Sequence, residues 1–279
     1  MKELTISEMR AVQLEMLDRL DKVCREHGLR YYLCGGTLLG AVRHKGYIPW
    51  DDDIDVNILR PDLDRLLEIT GGKLGDGLVI VKPGERKDKS LIFYRIYNEK
   101  TLLVSRNQKL GTEARTNIFI DVFPVDALPA SSLANKMVYL WSGFLISLGN
   151  MSAVGRVVGT SRKKRFVKSL LLPIAKLHST DRWNEITDRF ARKRNYEKAR
   201  YVGVINTEAA HRFNERILKS EYEPAVEVEF EGKRYPAPKG WDIYLRNLYG
   251  ADYMELPPAE KRESHHDFQA FLLEGEERV

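Results

Sequence analysis

Apolar residues recur along this chain with two different periods, and the changes of period mark its elements. Met9, Val12, Met16, Leu17, Leu20, Val23 and Cys24 follow one another at helical spacing, with Ser7 placed to cap the helix and Gly28 to end it. RYYLC (30–34) reads as a short strand, Gly35-Gly36 follows, and TLLGAVRH (37–44) reads as a short helix. DIDVNIL (53–59) alternates polar and apolar residues, the period of a strand. Pro61 opens a helix, PDLDRLLEI. GLVIVK (77–82), SLIFYRIYN (90–98) and TNIFIDVF (116–123) are further strands.

The pattern changes after that point. Residues 131–200 read mainly as helices, one of them broken by Pro173. YVGVIN (201–206) reads as a strand, VEVEFEGKRYPAP (226–238) as a hairpin turning near Glu231-Gly232, and WDIYLRNLYG (241–250) as a helix stopped by Gly250. The expected fold is therefore α+β. A small mixed sheet with flanking helices occupies 1–128, and a largely helical region with a hairpin occupies 129–279. No internal repeat or low-complexity run interrupts it.

Charge adds a second contrast. The chain of 279 residues is 43% apolar and 30% charged, which suits a soluble globular protein. Its net charge is +5, yet residues 156–200 hold 14 Lys/Arg against 4 Asp/Glu, which leaves the rest of the chain net −5. A surplus confined to one segment suits an anionic surface better than general solubility. No nucleic-acid reader motif accompanies it. The first residues read as a capped polar helix, not as a signal peptide. Cys24 and Cys34 form no disulfide or zinc pattern and read as reduced thiols of a cytoplasmic protein.

MVYLWSGFLISLGNMSAVG (137–155) carries no charge over 19 residues, the length of a membrane span. Its glycines, serines and Asn150 suit a buried helix better. The basic, apolar stretch that follows (156–177) suits an interfacial segment, so a peripheral membrane contact is expected over a span.

The chemistry concentrates in GGTLLGAVRHKGYIPWDDDIDV (35–56). On a strand, Asp53 and Asp55 share one face, where two carboxylates repel. A divalent cation relieves that repulsion, and hard oxygen ligands suit Mg²⁺ or Mn²⁺. A lone D-x-D is common by chance and by itself reads better as an exposed edge strand or an N-cap cluster. Gly35-Gly36 ahead of a helix adds a place for phosphate. Asp121, set among Phe119, Ile120, Val122 and Phe123, is costly unless paired or metal-bound. Together these residues suit phosphoryl transfer. If the strand already runs through Asp51, then Asp52 points away from the face of Asp51, Asp53 and Asp55. Arg43, His44 and Lys45 stand between glycines and carboxylates, where a cation can neutralise a diphosphate or simply end a helix. Arg43 is the first choice for its planar fork, and His44 is a candidate base.

This order of Gly-Gly, Asp-x-Asp and a lone strand aspartate resembles the nucleotidyltransferase fold. More narrowly, the 35–56 stretch, IFIDVFPVDAL (118–128) and YGADYMELPPAEKRESHH (249–266) resemble the LicD family of phosphocholine transferases, with fukutin and fukutin-related protein sharing the core. One departure is Ala251, inserted where the family usually reads Tyr-Gly-Asp-Tyr-Met. The resemblance implies transfer of a phosphoalcohol from a CDP-activated donor, such as CDP-choline, to a sugar hydroxyl of a teichoic acid, lipopolysaccharide or lipid-linked precursor, releasing CMP. It implies Asp53, Asp55 and Asp121 as metal ligands, and Gly35, Gly36 and Thr37 along the phosphates. It adds Arg262 and His265 as substrate contacts, and leaves Asp51 as a supporting group or general base. Choline would be held by aromatic faces, for which Tyr31, Tyr47, Trp50, Tyr94 and Tyr97 are nearby. The expected place of action is the inner face of a membrane. The alternatives are a nucleotidyltransferase releasing pyrophosphate and a non-catalytic membrane or glycan adaptor.

Overall fold

A short strand, β1 (Lys2–Leu4), leads into α1 (Ile6–Glu26) in the computed structural model, which describes residues 1–85, 91–107, 112–153, 162–207, 213–258, 260, 262 and 268–273. Thr5, not Ser7, caps α1. Its hydroxyl accepts the Glu8 N–H at 3.2 Å while the Glu8 carboxylate accepts the Thr5 N–H at 2.8 Å. The buried face is the apolar stripe read from the sequence, except that Val12 is only half-buried and Gln13 is added to it.

β2 (Tyr31–Leu33), α2 (Gly35–His44), β3 (Asp55–Leu59), α3 (Arg60–Thr70), β4 (Lys73–Gly75) and β5 (Leu78–Val81) follow. Then come β6 (Tyr94–Asn98), β7 (Thr101–Asn107), β8 (Thr112–Thr116) and β9 (Phe119–Leu128). The helices α4 (Ser132–Ala153), α5 (Arg162–Ala175) and α6 (Thr180–Ala191) precede β10 (Tyr201–Val204) and β11 (Ile217–Leu218). The chain closes with α7 (Lys219–Tyr222), β12 (Ala225–Phe230), β13 (Lys233–Pro238), α8 (Trp241–Tyr249) and β14 (Phe268–Leu272). The α+β class expected from the pattern is the class observed.

Two compact units share these elements. The first comprises Met1–Ile80, Arg95–Phe123 and Ser220–Val279, and the second Val81–Tyr94 and Pro124–Lys219. β9 therefore contributes to both, and the C-terminal stretch closes on the first unit. In the first unit β2 pairs antiparallel with β3, β3 with β9, and β9 with β6. A further sheet, in the order β1-β14-β7-β8, brings Lys2 opposite Leu272. In the second unit, β10 pairs antiparallel with the end of β9, and Leu145, Leu148, Ala175 and Trp183 pack between its helices.

Several elements differ in extent from the sequence reading. The strand expected at 53–59 begins only at Asp55, and the one expected at 90–98 begins at Tyr94. Pro173 does not break its helix. It lies in the last turn of α5, which runs on to Ala175. Gly35 and Gly36 are the first two residues of α2, not a loop before it. No helix among the described residues is long and apolar enough to cross a membrane, and α4 buries one face in the core.

Two contacts tie the C-terminal stretch to the 35–56 segment. The hairpin turns at Glu231 (φ 49°) and Gly232 (φ 75°), as its sequence suggested. The Glu231 N–H donates to the Lys45 carbonyl at 2.8 Å, and its carboxylate accepts the Tyr47 N–H at 3.0 Å. Tyr222, fully buried, accepts a hydrogen bond from the Asn57 amide and stands edge-on to Tyr32 and Tyr244. Tyr222→Phe strips the buried Asn57 amide of that acceptor and is expected to cost about 1–3 kcal/mol in denaturant unfolding. An unchanged midpoint would show that the bond contributes nothing net.

Candidate active site

The glycine pair faces carboxylates. β2 delivers the chain to Gly35 at φ +52°, and a Cβ there would lie 2.7 Å from Asp55 Oδ2. A Cβ on Gly36 would lie 2.7 Å from Asp51 Oδ2. Only a residue without a side chain leaves both carboxylates their room. Next to them, the buried Thr37 hydroxyl accepts the Asp55 N–H at 2.8 Å and locks the start of β3 to α2. Tyr244 Oη accepts the Gly35 N–H at 3.4 Å.

The aspartates crowd opposite. Asp51, Asp52 and Asp53 each place a carboxylate oxygen within 4.8 Å of the others. Asp52 thus joins the cluster instead of pointing away from it, because residues 51–54 precede the strand and its alternation does not bind them. Two α1 side chains hold this loop. The Arg10 guanidinium donates to the carbonyls of Ile48, Pro49 and Asp51, and Gln13 Nε2 donates to the Asp52 carbonyl at 3.0 Å. The sequence carried a sign of this in Gln13, a polar residue on the core face of α1.

Asp121 is seated by β9, its N–H donating to the Ile54 carbonyl at 3.0 Å. Both of its carboxylate oxygens accept from Arg95, Nη2 at 3.1 Å, and the Arg95 guanidinium lies 3.8 Å from the Phe119 ring centroid. Arg95 was not singled out in the sequence, although it is the one charge in the YRIYN run. It supplies the pairing that a carboxylate in an apolar strand requires.

Electrostatics joins these groups into one site. Burial, then the charge of Asp51, then hydrogen bonding with it, push Asp53 up to about 8, with Asp121 and Asp52 adding to the effect. Burial, then Asp53, Asp121 and Asp51, raise Asp55 well above the usual carboxylate range, and Arg95 opposes them. Carboxyls so placed hold protons unless a cation compensates them. The all-oxygen donor set fits a hard divalent ion such as Mg²⁺ or Mn²⁺, and the Asp51–Asp53 group can hold one.

At the far end of α2, four expected substrate contacts meet. Arg43 Nη1 donates to the carbonyls of Tyr253 and Glu255 at 2.9 and 3.1 Å, and its Nε to His44 Nε2 at 2.9 Å. His44 stands edge-on to Trp50 at 6.4 Å, and the Arg262 guanidinium lies 5.9 Å from the Trp50 ring. Burial, then Arg43, lower the pKa of His44, which favours the neutral ring. Burial chiefly, and also repulsion from Arg262, lower that of Arg43. Of the five aromatics considered for a quaternary ammonium, Tyr31, Tyr47, Tyr94 and Tyr97 are buried, and Trp50 stays partly open. His265 lies outside the described residues.

Comparison with known proteins gives the family. Residues 28–186 match the family LicD/FKTN/FKRP, nucleotidyltransferase domain. The chain is 28% identical over 276 residues to the lipopolysaccharide cholinephosphotransferase LicD of Haemophilus influenzae, covering 98% of this chain and 100% of that protein. It is 46% identical over 48 residues to the human ribitol 5-phosphate transferase FKRP, covering 17% of this chain and 10% of that protein. Over 113 residues it is 31% identical to the mouse ribitol-5-phosphate transferase FKTN, covering 37% of this chain and 23% of that one. The chain belongs to the LicD/FKTN/FKRP nucleotidyltransferase family.

A pH dependence follows from the crowding. Folded Asp53 keeps its proton up to about 8, whereas an unfolded aspartate releases it near about 3.9. The folded state thus binds more protons between those values, and stability falls as pH rises through them. In chelator, the melting temperature is expected to drop from about pH 5 to about pH 8. Asp53→Asn should melt higher than the parent at the upper end and vary less with pH. A flat parent profile would contradict the assigned burden of charge.

Proposed function

We propose that this family member is a divalent-cation-dependent transferase that moves a phosphoalcohol from a CDP-activated donor to a sugar hydroxyl and releases CMP. Phosphocholine is the favoured group, and the acceptor is a cell-surface glycopolymer or its lipid-linked precursor, reached from the cytoplasmic face of the membrane. The observation that carries this reading is the aspartate cluster facing the glycine pair at the start of α2. The full-length similarity to a bacterial cholinephosphotransferase supports the group transferred.

Asp53, Asp55 and Asp121 would share the cation, with Asp51 and Asp52 beside them. A bound divalent ion supplies charge neutralisation to the diphosphate and its leaving group. Gly35 and Gly36 let the donor's phosphates approach the backbone at the N-terminus of α2. Arg95 holds Asp121 in place. Asp51, against Gly36, is the candidate to take the acceptor's proton as its oxygen attacks the phosphorus bearing the alcohol. The phosphoanhydride bond to CMP then breaks. Arg43 and Arg262 offer positive charge to the nucleotide phosphate, and the Trp50 face suits a quaternary ammonium.

Incubation with Mg²⁺, a glycan acceptor and a panel of CDP-alcohols should release CMP, most rapidly from CDP-choline. Release of pyrophosphate from a nucleoside triphosphate instead would place the enzyme among ordinary nucleotidyltransferases. Asp53→Asn and Asp121→Asn should each lower kcat by about a hundredfold or more, since each removes a carboxylate that would hold the cation. Full activity in either folded variant would overturn the site. Arg43→Gln should raise KM for the donor more than it lowers kcat, and an unchanged KM would remove Arg43 from the binding surface.

A further inference from the structure

α4 carries more apolar surface than its core needs. Val138, Tyr139, Leu145, Ile146 and Leu148 face inward and are buried. Leu133, Met137, Leu140 and Trp141, spaced as one stripe of a helix, face outward, with Leu133 73% exposed and Trp141 51%. α5, packed on α4 in the same unit, repeats the arrangement. Phe166, Leu170 and Ile174 follow at intervals of four, with Phe166 70% and Leu170 68% exposed. Among the described residues, 9 of the 17 exposed large apolar side chains fall between Leu133 and Leu177. Such a concentration marks an interaction surface.

The charge around this surface is one-sided. From Ala127 to Thr180 there is no aspartate or glutamate, and there are eight lysines and arginines. Four of these, Arg162 to Arg165, open α5, and Lys136 and Lys168 are exposed beside the apolar stripes. A second copy of this chain would bring like charge against like charge. A bilayer with anionic headgroups accepts both parts, apolar side chains at the acyl boundary and cations at the phosphates.

We propose that the outer face of α4 and α5 is an interfacial anchor for an anionic lipid bilayer, with Trp141, Phe166 and Leu170 inserted and the start of α5 at the headgroup level. This gives the peripheral contact of the proposed function a defined surface, and it does not depend on the transfer chemistry. The full chain should co-sediment with phosphatidylcholine vesicles containing phosphatidylglycerol and far less with phosphatidylcholine alone, and binding should weaken with salt. The double variant Phe166→Ser/Leu170→Ser removes exposed side chains only. It should keep its melting temperature and its CMP release with a soluble acceptor, while vesicle affinity falls by about tenfold or more. Lys168→Glu should also weaken binding to the anionic vesicles. Equal binding to both vesicle types, or undiminished binding by the double variant, would overturn the proposal. So would a dimer in sedimentation velocity that the double variant abolishes while vesicles are ignored. Loss of CMP release in every form, with vesicle binding intact, would instead count against the transferase reading alone.

Discussion

Repulsion among aspartates is the constraint around which the first unit is arranged. Asp51, Asp52, Asp53, Asp55 and Asp121 come from one loop, the strand it enters and a neighbouring strand, and besides burial the charges of their neighbours raise the proton affinity of Asp53 and Asp55. Left alone, such a group would spread apart or protonate. The chain prevents spreading. Arg10 and Gln13 hold the loop by its carbonyls, the Thr37 hydroxyl holds Asp55 by its amide, and glycine at 35 and 36 leaves the oxygens their place. Arg95 compensates part of the charge at Asp121. What remains is a group of carboxyls held together that a bound cation would let ionise, which is what the proposed phosphoryl transfer requires.

Much of this was legible because the signals are local. α1, α2 and the β12–β13 hairpin lie where periodicity, capping and turn residues put them, with shifts of a few residues at their ends. The sheet that joins Lys2 to Leu272 was not legible, since its strands are short and their partners lie at opposite ends of the chain. The place of Asp52 was open for a related reason: alternation holds only within a paired strand, and the strand begins at Asp55. Arg95 and Arg10 needed the fold as well. Each acts on a group distant in sequence, and an arginine alone does not announce its partner.

The basic and apolar segments answer a different requirement. On the proposed function, a donor diphosphate and an acceptor displayed on lipid would both be anionic, and the surplus positive charge of the chain is concentrated in 156–200, away from the aspartates in sequence. Arg10 and Arg95 hold the aspartate loop and Asp121, and Arg262 lies beside Trp50, the neighbour of His44 at the end of α2, within one unit with the aspartates. The outward stripes of α4 and α5 are then not a defect of packing. On the proposal above, they are surface for a partner that is apolar within and anionic at its edge.

The central claim is that the aspartates are assembled for a cation. Turnover of the CDP-alcohol donor in the presence of excess chelator, followed by graded addition of Mg²⁺ or Mn²⁺, tests it most directly. No CMP release is expected in chelator, with full recovery as the cation is restored. Undiminished turnover in chelator would contradict it.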